Sequence, residues 1–299
     1  METRTIGSLT VSLVGLGCNN FGGRIDADAT QAVVDAAIDA GITLFDTADV
    51  YGGNGASEEL LGRSLGARRD QVVVATKFGM PMGEGMAGAH PDYVRSACEA
   101  SLRRLGTDRI DLYQLHAPDP SVPVDDTIAA LEALRDDGKV VEIGCSNFSP
   151  DVLDGRWATV QNEVSLLRRR GLEELVAACE QHGLGILPYF PLASGMLTGK
   201  YRRGEAPPEG TRLAGVPEER REKALSDTAF DRVEALTAFA EARGRTILEL
   251  AMSWLAGLPC MASVIAGATK PEQVRANAAA VGWSLTDDER AEVDRLTTS

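Results

Sequence analysis

Short apolar, β-branched runs alternate along the chain with longer stretches in which apolar residues recur three and four positions apart. The runs are Val11 to Val14, Thr43 to Phe45, Val72 to Ala75, Ile110 to Leu115, Val141 to Cys145, Thr159 to Val164, Gly185 to Pro188 and Ser263 to Ala266. Between them, Ala32, Val33, Ala36 and Ala37 ahead of Gly41, and Ile128, Leu131 and Leu134 ahead of Gly138, keep helical spacing and stop at a glycine. Eight strands, most followed by a helix, predict an α/β protein of the closed (β/α)8 TIM-barrel type rather than an open sheet. Ahead of the first run, Arg4 to Ile6 and Leu9 to Val11 flank Gly7-Ser8 and read as an N-terminal β-hairpin. The tract from Tyr201 to about Thr228, rich in Arg, Glu, Gly and Pro, reads as one long surface loop, because the rhythm resumes after it. Helical stretches are expected at Phe230 to Ala242 and Ile247 to Leu255. Extra C-terminal helices are expected at Pro271 to Val281 and Thr286 to Leu296.

Composition narrows this picture. The 299 residues fit one barrel unit, taken as a single domain over 1–299. No apolar stretch approaches the roughly 20 residues of a membrane span, and the N-terminus lacks the basic and apolar regions of a secretory signal. Five cysteines, Cys18, Cys98, Cys145, Cys179 and Cys260, are scattered without metal or disulfide spacing. A cytoplasmic protein with reduced thiols and no metal site is expected. A formal charge of −14 argues against nucleic acid or an anionic membrane as partner, so an anionic ligand needs a local basic pocket.

Candidate chemistry lies at the strand ends. Asp46 closes one run, Tyr51 follows on the loop, Lys77 ends a second and His116 a third. In a barrel these positions share the C-terminal rim, where active sites are built. An acid, a phenol, an ammonium and an imidazole together suit delivery of a proton to a carbonyl oxygen. A phenol with a pKa of about 10 needs help to act at neutral pH. A cation about 4 Å away contributes roughly 4 kcal/mol at an effective dielectric of 20, and Lys77 is the candidate. Asp46 then serves as counter-ion to Lys77, and His116 orients the substrate.

Phe45-Asp46-Thr47-Ala48-Asp49-Val50-Tyr51-Gly52, Val74-Ala75-Thr76-Lys77 and Asp111-Leu112-Tyr113-Gln114-Leu115-His116 resemble three signatures of the aldo-keto reductase family. The resemblance runs over nearly the whole chain. It implies a barrel that reduces aldehydes or ketones with NADPH and without a metal, with Asp46, Tyr51, Lys77 and His116 as the catalytic four.

No G-x-G-x-x-G follows a strand, so a Rossmann site is not supported. The resemblance places the cofactor instead against Gly17, Cys18 and Asn19 after the first strand. It places the nicotinamide carboxamide on Ser146, Asn147 and Gln161, whose amides and hydroxyl offer donors and acceptors. Tyr189 is expected to stack on the ring, with Phe190, Pro191, Leu192, Gly195 and Lys200 along the pyrophosphate. Family members commonly carry Ser where this chain has Phe190. Gly267, Thr269, Lys270, Gln273 and Asn277 are expected around the adenosine 2′-phosphate and adenine. Free amides at that helix start would make an anion site, and Arg212 would clamp it. Phe21, Phe78, Met80, Met82, Met86 and Phe148 are expected to line an apolar substrate pocket.

The partner implied is a small carbonyl substrate; no protein partner is indicated. One alternative is a nicotinamide-binding regulatory protein of low turnover, since the chain resembles the branch containing the potassium-channel β subunits. The short stretch ahead of the hairpin weighs against that. A metal-dependent hydrolase has only His90, His116 and His182 to draw on.

Overall fold

The computed structural model describes residues 1–298. β1 (Thr3–Ile6) and β2 (Leu9–Ser12) pair antiparallel as the expected hairpin. A parallel sheet follows, made of β3 (Val14–Gly17), β4 (Leu44–Asp46), β5 (Val73–Phe78), β6 (Ile110–Leu115), β7 (Val140–Ser146), β8 (Thr159–Gln161), β9 (Gly185–Ile186) and β10 (Val264–Gly267). Strands β3 to β9 are neighbours in chain order, and β10 returns to pair with β3. The remaining gap is bridged where Ile186 pairs with Met261 and the Ile265 N–H donates to the Pro188 carbonyl at 3.3 Å. The sheet therefore closes into a barrel.

The first half carries α1 (Ala27–Asp39), a distorted turn α2 (Tyr51–Asn54), α3 (Ala56–Leu65), α4 (Pro91–Leu105) and α5 (Val124–Asp136). The second half carries α6 (Leu172–His182), α7 (Glu218–Ala224), α8 (Asp227–Glu241), α9 (Ile247–Ala256), α10 (Pro271–Ala279) and α11 (Asp287–Thr298). Starts are chemically marked: Asp26 caps α1, and Thr246 with Glu249 forms a reciprocal capping box on α9. Helices α3 and α4 approach so closely at Gly62 that a Cβ there would overlap the Leu105 carbonyl. Glycine is needed at that crossing.

Two expectations change. The run Val11 to Val14 is not one strand: Val11 belongs to the hairpin, and the barrel strand begins at Val14. Val11, Ser12, Leu13 and Val14 are all buried on both sides of the corner at Leu13, so the run hides it. The tract from 201 to 228 is not all loop, since it contains α7, and α8 already begins at Asp227.

The barrel interior is small and holds Leu44, Ala75, Leu112, Leu187, Ala262 and Ile265, joined by Ile6 and Val11 of the hairpin. Glu142, near the start of β7, accepts from the Ser8 N–H and hydroxyl, both at 2.7 Å, and pins the hairpin turn. The hairpin thus plugs the N-terminal end. The open rim is the C-terminal one.

Candidate active site

The four sequence-predicted residues meet at that rim. Asp46 is the last residue of β4, Tyr51 opens α2, and His116 directly follows β6. Lys77 differs from expectation: β5 continues to Phe78, so the lysine sits within a strand and is completely buried. The segment between Asp46 and Tyr51 is stitched to β5, with Thr47 N–H on Ala75 O at 2.8 Å and Asp49 N–H on Lys77 O at 3.1 Å. A Cβ on Gly52, at φ +72°, would press on the Phe21 carbonyl, so the turn carrying Tyr51 requires glycine there.

Asp46 and Lys77 form a bidentate pair, with Nζ at 2.8 Å from Oδ1 and 2.7 Å from Oδ2. Lys77 also donates to the Thr47 carbonyl at 2.8 Å. Gln161 and Gln114 donate to Asp46 Oδ1 at 2.8 and 3.3 Å. The carboxylate is held from three strands besides its own, and such dense pairing is what a buried ion pair needs to offset desolvation. The ammonium lies 5.1 Å from the Tyr51 ring centroid. His116 meets Tyr51 edge to face, with centroids 5.8 Å apart.

Electrostatics separate the roles. Burial opposes the Lys77 charge, but Asp46 and Tyr51 outweigh it and its pKa ends above the ordinary value. Sequence reasoning expected Lys77 to favour the Tyr51 anion. Lys77 does pull that way, but burial is the larger effect and leaves the phenol above its ordinary value, protonated. Burial, then Lys77, pushes His116 down to about 3, so its imidazole is neutral. Its Nδ1 is buried without a partner.

A cleft of about 700 Å³ opens over Asp46, Tyr51 and His116. It is lined on one side by Gly17, Asn19, Ser146, Asn147, Gln161, Tyr189, Phe190, Pro191 and Leu192, and further out by Gly195, Lys200, Arg212, Gly267, Thr269, Lys270, Gln273 and Asn277. The residues expected around a cofactor therefore share one cavity, with a single exception. Cys18 does not line it: the side chain is fully buried, with its thiol on the Leu16 carbonyl. Asn147, in a left-handed conformation, donates to the His116 carbonyl at 2.9 Å and accepts from the Tyr189 hydroxyl at 2.8 Å. Phe190, Ala193 and Ser194 also have positive φ, so one wall of the cleft is locally strained.

Three cations gather at the outer half. Arg212 reaches Asn19 Oδ1 at 3.1 Å and Asn20 Oδ1 at 3.2 Å, and Arg24 reaches the Gly210 carbonyl at 2.7 Å. Burial, then Arg24 and Arg212, lowers the Lys200 pKa; burial, then Arg24, lowers that of Arg212. Among the described residues no carboxylate pairs with any of the three. At the α10 start the expected free amide is not free. The Thr269 N–H and hydroxyl both donate to Gln273 Oε1, at 2.8 and 3.2 Å. The glutamine carbonyl fills the place assigned to an anion, because residues four apart face each other across the helix start.

Sequence reasoning missed Gln114, Asn20 and Arg24. Gln114 had a signal, since it precedes His116 by two residues and so shares its face in an extended strand. The apolar substrate wall is also corrected. Phe21, Phe78, Met82 and Phe148 are buried, Phe78 against Tyr113 and Phe148 against Trp157, while Met80 and Met86 are exposed and none lines the cleft. Aromatic rings behind a rim pack into the layer between strands and helices before they reach a cavity.

The Aldo/keto reductase family model matches residues 13–298. A probable voltage-gated potassium channel subunit beta of Arabidopsis thaliana is 32% identical over 94% of this chain and 91% of its own length. Aldo-keto reductase YhdN of Bacillus subtilis is 33% identical, over 96% of this chain and 90% of its own. Among solved structures, a glycerol dehydrogenase from Gluconobacter oxydans superposes with a TM-score of 0.84 at 33% identity, covering 98% of this chain and 94% of its own. An aldo-keto reductase from Bacillus halodurans in its holo form gives 0.83 at 30% identity, covering 99% and 96%. Match length, identity and barrel agree, and the chain belongs to the aldo/keto reductase family of oxidoreductases.

Proposed function

We propose that the chain reduces an aldehyde or ketone to an alcohol with NADPH, Tyr51 giving the proton. One observation carries the reading: a protonated phenol stands at an open cleft above a buried ammonium, which is itself fixed by Asp46. A nicotinamide, when bound, would supply the hydride that the carbonyl carbon takes up. As the oxygen gains charge, Tyr51 releases its proton to it, and Lys77 stabilises the phenolate that forms. Asp46, steadied by Gln114 and Gln161, keeps Lys77 charged and in place. Neutral His116, with Nδ1 buried, has Nε2 to meet the carbonyl oxygen and fix its approach.

The cleft also suits the cofactor. Among the described residues Lys200, Arg212 and Arg24 form no ion pair with a carboxylate, in a chain of charge −14, and crowded, unpaired cations favour a phosphate-bearing ligand. Lys270, with Thr269 once Gln273 turns outward, would bind a 2′-phosphate and favour NADPH over NADH. Arg212→Ala is expected to weaken NADPH binding roughly 10- to 100-fold by fluorescence titration, the worth of one charge-assisted contact. Unaltered affinity would move the phosphates elsewhere.

Initial rates of NADPH oxidation with small aldehydes test the activity. They also carry a pH prediction. His116 stays neutral above about 3, so turnover should show no acid limb, no fall as the pH drops from about 6.5 to 5, where an ordinary histidine gains its proton. A break there would contradict the neutral imidazole. The channel-subunit relatives favour a second reading, cofactor binding with little turnover, and absence of NADPH oxidation across an aldehyde and ketone panel would support it.

A further inference from the structure

Behind the Asp46–Lys77 pair lies a second buried polar set that the proton transfer does not use. Glu58 of α3, fully buried, accepts from the Thr76 hydroxyl at 2.5 Å and from Arg104 Nε of α4 at 2.6 Å. Asp49, in the stitched turn between Asp46 and Tyr51, is 1% exposed, and its Oδ1 is buried with no partner. Both cations near it are committed, Lys77 to Asp46 and Arg104 to Glu58. Three carboxyls thus share two cations. Tyr93 of α4 and Tyr113 of β6 complete the surroundings, and the Tyr113 hydroxyl is also unpartnered.

A buried carboxylate oxygen without a donor is costly, whereas a neutral carboxyl in the same place is tolerated. We propose that Asp49 is a positioning residue that serves in its protonated form, its neutrality keeping the turn seated on β5 so that Lys77 stays with Asp46 beneath Tyr51. Once ionised, Asp49 competes for Lys77 and Arg104 and draws on the pair that tunes the phenol. Burial, then Glu58, raises the Asp49 pKa to about 7, whereas the catalytic residues with shifted values lie well outside neutrality, His116 at about 3 and Tyr51 and Lys77 above their already high ordinary values. A loss of turnover through neutrality at unchanged NADPH affinity is the change expected when Asp49 ionises.

This inference rests on Tyr51 being the proton donor. The test is the pH profile of kcat and of NADPH affinity for the wild type and Asp49→Asn, which mimics the neutral acid. The wild type should lose about tenfold in kcat between about pH 6 and 9, with a midpoint near the Asp49 value and little change in NADPH affinity. Asp49→Asn should lose less than about twofold over the same range. The same alkaline limb in Asp49→Asn, a flat wild-type profile, or a folded but inactive Asp49→Asn would each overturn the proposal. Infrared spectroscopy of the wild type decides the matter if the variant does not fold or if no turnover is found. A carboxylic-acid carbonyl band at about pH 6 that disappears through neutrality supports the proposal, and its absence at pH 6 overturns it. Failure of the cleft reading would show instead as no turnover with the infrared band intact.

Discussion

Replacing Tyr51 with Phe is expected to lower carbonyl-reduction turnover by roughly 10²- to 10⁴-fold while leaving NADPH affinity within about threefold. Phenylalanine keeps the ring that meets His116 edge to face at 5.8 Å and lies 5.1 Å from the Lys77 ammonium, so the packing survives. Only the hydroxyl is lost. In this cleft the other ionisable groups are poorly placed to substitute for it, since His116 at about 3 carries no spare proton at neutral pH and Lys77 donates to Asp46 and Thr47. The loss should therefore fall on kcat, and pre-steady-state cofactor binding should look like that of the wild type. A variant that turned over at half the wild-type rate would remove Tyr51 from the role assigned to it.

The second large effect is on the fold as much as on the chemistry. Lys77→Met leaves Asp46 buried at 3% exposure without its cation, and breaking a buried pair on one side typically costs about 3–5 kcal/mol. Gln114 and Gln161 still donate to Asp46, so the lower end of that range is expected. Turnover should fall roughly 10²-fold or more as well, because the phenolate developing at Tyr51 loses its nearest cation. Chemical denaturation of the double variant Asp46→Asn with Lys77→Met separates the two consequences. Removing both charges should recover at least half of the lost stability and none of the lost turnover. Recovery of turnover would mean that the ammonium is structural only.

Much of this site was legible because a barrel converts strand ends into one rim. Asp46, Tyr51 and His116 could be placed together from sequence since each follows a buried run, and the closure of β10 on β3 then brings the early and late cofactor segments into a single cleft. What could not be read were the side-chain choices that depend on neighbours far along the chain. Gln161 was expected to face a cofactor amide, yet its Nε2 also holds Asp46, 115 positions away. Gln273 covers Thr269, a competition within one helix turn that spacing allows but does not decide. The balance of burial against Lys77 at Tyr51 also depends on depth, which a sequence run does not reveal. The interior rings failed for a related reason: apolar residues beside a cleft look the same in sequence whether they face the cavity or the layer behind it.

The central claim, carbonyl reduction at this cleft, is tested most directly by following the isotope. With NADPH carrying deuterium at both C4 positions of the nicotinamide and a simple aldehyde, mass spectrometry of the product from the wild-type protein should show an alcohol carrying one deuterium on the former carbonyl carbon. An alcohol without that deuterium, or no alcohol from any aldehyde or ketone offered while NADPH binds, would contradict it.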